Sequence, residues 1–333
     1  MPAYSYRVTK YNPADRDEHG SYIGSEDTVS DHGEVEAAYL QAVAAFAEDT
    51  GIGRLAVREP GVPSLVHFGL EPPIEGFGLT GLFHRGMADF HDGAEVPLDI
   101  ALELVRAMLR DNGAWCRLEV EDTFAAHVGW DQYLYISSNR PCARALARTR
   151  ELGLFAEPIG GSPYAFEDEE GGIQRPGDDE FWAALHLAVG DGAAGILEET
   201  YLDGASRWHH LTVDALGPVR AGLAPRARLE VWPPLSPDVG AVLGALPAEG
   251  LIEVVWQDDA GHVRSAIADE DDFPELTALT SGASAAALLS FDADERVPLF
   301  TAVMPDDDGV LRARWRTPPT PDDRRWARRR QQG

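Results

Sequence analysis

Residues 115–137 read WCRLEVEDTFAAHVGWDQYLYIS, and this stretch decides the fold class. Residues 115–120 and 124–128 are short strand-like runs separated by Glu121-Asp122-Thr123, and a third run, 132–137, follows Gly129-Trp130-Asp131. Helical patterns flank them. Val35, Ala38, Tyr39, Ala42, Val43 and Phe46 fall at helical spacing, with Asp31 and Glu34 placed as a capping box and Gly51 as a stop. Residues 98–110 repeat the spacing up to Asn112-Gly113, and Pro141 opens a helix that Gly153 stops. Residues 54–59 read as a further strand, and the first 30 residues as polar and rich in turn formers. The expectation is an α+β fold: an antiparallel sheet with helices packed on one side.

Working outward, residues 1–165 form an N-terminal α+β domain. FEDEEGGIQRPGDDE, 166–180, is acidic, holds glycine and proline, and has little to bury, so 166–178 reads as a linker. Residues 179–318 form a second α+β domain: a helix from 179, a short helical run near 196–201, and a strand at 228–232. A helix at 237–246, a hairpin at 251–257 and 262–268, and a helix at 273–279 follow. Strands at 286–291, 298–304 and 310–315 complete it. Its β-α-β-β-α-β order predicts a ferredoxin-like arrangement. Residues 319–333 are an arginine-rich tail.

A chain of 333 residues with 44% apolar content favours two domains, each with its own core. The net charge of -28 sets the body against phosphate backbones and anionic lipid, and no apolar run reaches the ~18 residues of a membrane helix. Lys10 is the only lysine, and arginine gathers at the C-terminus: Arg312, Arg314, Arg316, Arg324, Arg325, Arg328, Arg329 and Arg330. Such a segment holds phosphates, folds back on its own acidic surface, or frays into solvent. Two cysteines, Cys116 and Cys142, and no signal-peptide pattern predict free thiols in a reducing, cytoplasmic setting without membrane contact.

No phosphate loop, no GxGxxG following a strand, and no HExxH, GxSxG or CxxC is present, and no cofactor is expected. Asp31 and His32 suit metal binding if His127, Asp131 and residues such as His67, His84 and His91 converge on them; a helix cap at Asp31 is the competing reading. Cys142 at a helix start beside Arg140 and Arg144 suits a thiolate with His127 as base; a buried hydrophobic cysteine competes. Tyr133 and Tyr135 share one strand face and suit base stacking, with only Arg117 and Arg140 as basic neighbours; an aromatic core competes. Trp208-His209-His210 offers adjacent ligands that rarely converge on one ion.

Tyr6-Arg7-Val8-Thr9-Lys10-Tyr11-Asn12-Pro13, Arg16-Asp17-Glu18, Ser30-Asp31, residues 115–119, residues 129–136 and Ser162-Pro163-Tyr164 carry a resemblance. The first half resembles an uncharacterised bacterial family whose longer members carry C-terminal S1-type RNA-binding repeats. Residues 299–326 resemble the segment that leads into those repeats, and the repeats themselves are absent here. The resemblance implies an RNA- or translation-linked context and supplies no catalytic residues. The leading expectation is a non-enzymatic accessory protein. Any RNA contact falls to Arg324, Arg325, Arg328, Arg329 and Arg330, then to Tyr133 and Tyr135. The alternatives are a small-molecule enzyme or metal hydrolase using Asp31, His32, His127 and Asp131, and an adaptor whose acidic surface meets a basic protein.

Overall fold

The computed structural model describes residues 2–24, 32–63, 75–83, 89–129, 133–163, 172–292 and 295–332. The chain divides into two compact units, Met1–Asp168 with Leu202–Gly204, and Glu169–Tyr201 with Ala205–Gly333. Every strand ladder among the described elements is antiparallel, in a mixed α+β fold.

The first unit runs β1 (Tyr4–Thr9), α1 (Glu34–Thr50), β2 (Arg54–Gly61), β3 (Glu95–Pro97), α2 (Leu98–Leu109), β4 (Trp115–Val120), β5 (Phe124–Val128), β6 (Leu134–Ser138), α3 (Ala143–Glu151) and β7 (Phe155–Ile159). Its strands form one sheet in the order β3-β2-β4-β5-β6-β1-β7. The expected three-strand run supplies its centre. β1, from a segment that reads as turn-rich, inserts between β6 and β7.

One ring contact fixes which face meets the helices: Tyr6 on β1 lies 5.6 Å from Phe46 on α1. Tyr6 pairs with Ile136, and Ile136 with Ala126, so this row and its alternate neighbours Val8, Leu134 and Val128 face the helical layer. All are buried, as are Phe46, Val43 and Val105 on the helices. Each large apolar side chain buried there stabilises the unit by about 1.5–3 kcal/mol. Buried Glu36 ties α1 to α2: it forms an ion pair with Arg106 at 3.0 Å and accepts a hydrogen bond from Arg110, just past the end of α2, at 2.5 Å. Gly33 is the residue before α1, and Asp31 of the expected cap lies outside the described residues. Gly51 ends the helix at φ 75°, a left-handed turn that suits glycine, and its N–H reaches the Ala47 and Glu48 carbonyls.

The second unit runs α4 (Asp179–Gly190), β8 (Ile196–Leu202), β9 (Ala205–His210), α5 (Leu216–Gly222), β10 (Arg228–Trp232), α6 (Val239–Leu243), β11 (Ile252–Gln257), β12 (Val263–Ala268), α7 (Phe273–Leu279), β13 (Ala285–Ser290), β14 (Phe300–Val303) and α8 (Pro321–Gln332). Two sheets form, β14-β10-β8-β9 and β12-β11-β13. Ile196, Trp208 and Trp232 of the first pack against Val255 of the second. The opposite face of the three-stranded sheet, Ile252, Val254 and Trp256, packs with residues of α6 and α7, including Val239, Val242, Phe273 and Leu276.

Four expectations change here. Residues 196–201 form a strand, not a helix, because every residue of β8 is buried and both its edges are paired. β10 therefore pairs with β8 and β14, while β11 pairs with β12 and β13, so the ferredoxin-like order along the chain does not become one ferredoxin-like sheet. Residues 310–316 form no strand. Of the expected linker, the described residues 172–178 belong to the second unit: Ile173 bridges Thr317, Pro176 bridges Val303, and Arg175 is buried. No helix among the described residues is long and apolar enough to cross a membrane.

Candidate functional site

Side chains on the sheet face turned away from the helices form a transverse row. Glu157 pairs with Arg7, Arg7 with Tyr135, and Tyr135 with His127; further along, Arg117 pairs with Arg58. The residues touch as the register requires. Arg7 Nη2 donates to Glu157 Oε2 at 3.0 Å. The His127 and Tyr135 rings stack 5.4 Å apart and 16° from parallel. Arg117 pairs with Glu59 at 3.1 Å, and Arg58 with buried Asp92 at 3.0 Å.

His127 is buried beside Arg117 and shares a 3.0 Å hydrogen bond between its Nε2 and Ser162 Oγ. A hydroxyl on an imidazole has the composition of a nucleophile and its base. Burial, reinforced by the Arg117 charge, holds the His127 pKa down at about 3. At neutral pH this ring is neutral and resists the proton that a general base must accept, so the pair is a poor catalytic dyad.

The metal reading places His32 exposed ahead of α1 and His127 buried on the non-helical face of β5; Asp31 and Asp131 lie outside the described residues, as do His67 and His84. Among the described residues no group of three His, Cys, Asp or Glu is placed to hold a metal ion.

Cys142 corrects the thiolate expectation. It precedes α3 at φ 45° instead of lying in the first turn, and its Sγ sits 3.2 Å from Ser138 Oγ. Burial pushes its pKa up despite the Ser138 bond and the Arg140 charge. Ser138 belongs to the helix-facing row and His127 to the opposite face, so the sheet lies between the thiol and its supposed base. Burial raises Cys116 as well.

Tyr135 is 3% exposed, and its ring is covered by His127, so it offers no stacking surface. Tyr133 is half-buried, with the guanidinium of Arg7 5.3 Å and that of Arg16 5.9 Å from its ring centre. Tyr11 meets Tyr133 edge-on at 6.3 Å and packs on Tyr22 at 4.6 Å, and the Lys10 ammonium lies 5.1 Å from the Tyr11 ring centre. The basic neighbours of Tyr133 thus come from β1 and the following loop, which local reading around residue 133 misses. Trp208, His209 and His210 diverge: Trp208 enters the inter-sheet core, His209 Nε2 meets Glu199 Oε2 at 2.8 Å, and His210 Nδ1 meets Gln257 at 3.3 Å.

The arginine segment is ordered. Pro321–Gln332 is α8, anchored by Asp323, whose carboxylate accepts from the Thr320 hydroxyl at 2.8 Å and the Thr301 hydroxyl at 3.0 Å. Asp323 N–H donates back to Thr320 Oγ1 at 3.2 Å, a reciprocal cap. Buried Arg175 reaches Asp322 at 3.1 Å and Asp323 at 3.5 Å. At ~100° per residue, Arg324, Arg325, Arg328 and Arg329 fall on one side of the helix, opposite Asp323 and Trp326. Arg325 pairs with Asp322 at 3.1 Å, Arg329 with Glu180 at 3.8 Å, and Arg330 with Asp178 at 3.4 Å. Among the described residues Arg324 and Arg328 have no carboxylate partner, and both are exposed. The segment does not fray because its docking uses buried polar bonds in place of an apolar stripe.

No protein-family model, no curated protein and no solved structure matches this chain.

Proposed function

We propose that this chain is a non-enzymatic, RNA-linked recognition protein whose contact with a phosphate backbone is the outer face of α8. One observation carries the reading: four arginines share the exposed side of a helix fixed at its start by buried Asp323, on a chain of net charge -28. Guanidinium groups suit phosphate oxygens through paired N–H donors. A rigid helix presents them with less ordering entropy than a flexible tail. The acidic body opposes non-specific polyanion binding, so the contact is local and steeply weakened by salt. The resemblance to a family associated with S1 repeats supports the same context.

Fluorescence anisotropy of a labelled single-stranded RNA oligonucleotide, titrated with the intact chain at several salt concentrations, tests this. Binding whose logarithm falls linearly with the logarithm of salt supports the reading. No saturable binding at the lowest salt contradicts it.

A further inference from the structure

We infer that Arg16 is the anchor of an oxyanion-binding site in the first unit, suited to a phosphate or carboxylate carried on a flat ring. This site lies on the loop after β1, and the inference does not rest on the RNA reading of α8.

Arg16 is a buried cation with an unused donor edge. Its side chain is 7% exposed. Its Nη1 donates to Glu157 Oε2 at 2.6 Å, while buried Nε and Nη2 make no hydrogen bond among the described residues. Those two N–H groups form the side-on edge of the guanidinium, the fork that grips a carboxylate or phosphate with two parallel bonds. Arg7 uses that same edge on Glu157: its Nε and Nη2 reach Oε2 at 3.3 and 3.0 Å. A single carboxylate oxygen thus receives three N–H groups from two arginines. Burial pushes the Glu157 pKa up, and the bonds from Arg16 and Arg7 outweigh it, so the carboxyl titrates below its ordinary value.

The charges do not balance among the three groups: two guanidinium cations face one carboxylate. The Tyr133 ring, 5.9 Å from the Arg16 guanidinium carbon, attracts the cation through its π face, but it gives the in-plane N–H edge no acceptor. A buried donor left unmade carries a desolvation cost that a bound oxyanion removes. The surroundings indicate what the anion is attached to. Tyr11, Tyr22 and Tyr133 form one chain of rings, and Lys10 adds a third cation beside it.

Two probes separate the sources of the oxyanion: adenosine monophosphate for a nucleotide phosphate and benzoate for an aromatic carboxylate. Adenosine and benzyl alcohol are their uncharged counterparts. The readout is the Arg16 Nε–H resonance in the intact, ¹⁵N-arginine-labelled chain, assigned by its loss in Arg16→Lys. The expected result is a saturable shift of that resonance with adenosine monophosphate or benzoate and none with the uncharged compounds. Calorimetric affinity for the active probe should weaken about tenfold in Arg16→Lys, which keeps the charge and loses the fork. The inference is overturned if neither anion moves the wild-type resonance, if an uncharged counterpart moves it equally, or if Arg16→Lys binds the probe as well as wild type.

Discussion

Asp323 accepts the hydroxyl of Thr301 at 3.0 Å with no solvent exposure, and this bond fastens α8 to β14. Asp323→Ala would leave the Thr301 and Thr320 donors unmade and remove one of the two carboxylates facing buried Arg175. A loss of about 3 kcal/mol is expected in urea unfolding of the intact chain, and a smaller loss in Asp323→Asn. An unchanged midpoint in Asp323→Ala would mean that α8 is not anchored in this way.

Glu198 supplies a pH test in the second unit. Arg296 Nη2 lies 2.9 Å from Glu198 and 2.8 Å from Glu253, and Ser206 donates to Glu198 at 2.9 Å. Burial raises the Glu198 pKa to about 7; Arg296 opposes the rise, while Glu230 and Glu253 add to it. The folded chain therefore holds this proton between about pH 4.5 and 7, where the unfolded chain has released it. By linkage its contribution is fully present below pH 4.5 and is lost as pH rises to 7. At ~1.4 kcal/mol per pH unit the window holds about 3 kcal/mol. Glu198→Gln should flatten that slope in stability measured from pH 4.5 to 7; an unchanged slope would contradict the assignment.

His127 acts with the opposite sign in the first unit. Its folded pKa of about 3 lies below the ordinary 6.5, so across that interval the unfolded chain binds the extra proton. Its contribution is present above pH 6.5 and is lost as pH falls toward 3. Imidazole NMR signals of His127 should stay in the neutral form from pH 8 to 5. A His127 midpoint near 6.5 would show that the buried stack with Tyr135 does not form.

Both thiols should resist an aromatic disulfide reagent in the native chain and react fast in denaturant, because burial favours the protonated form of each. Rapid native labelling of Cys142 would contradict its burial.

The central sheet was legible because β4, β5 and β6 are separated by short turns and carry compact apolar runs. β8 was not. Its sequence ILEETYL lies buried on both faces, so period-two alternation is absent, and its Leu and Glu residues imitate a helix. β1 alternates, but it is short and adjoins turn formers. The candidate sites depend on pairs distant in sequence. Arg16 and Glu157 are 141 residues apart and Thr301 and Asp323 are 22 apart, and neither pairing leaves a local pattern. The arginine segment showed its charge in the sequence, whereas its anchor is a polar contact that composition does not reveal.

The most direct test of the RNA reading is the salt dependence of oligonucleotide binding by Arg324→Gln/Arg328→Gln, which removes two α8 arginines that have no carboxylate partner among the described residues and leaves the Asp323 anchor in place. Weaker binding at every salt concentration is expected, with a log–log salt slope shallower by about 1.4, the single-strand value for two lost phosphate contacts. Wild-type affinity and slope in the double variant, with its fold intact, would contradict the reading.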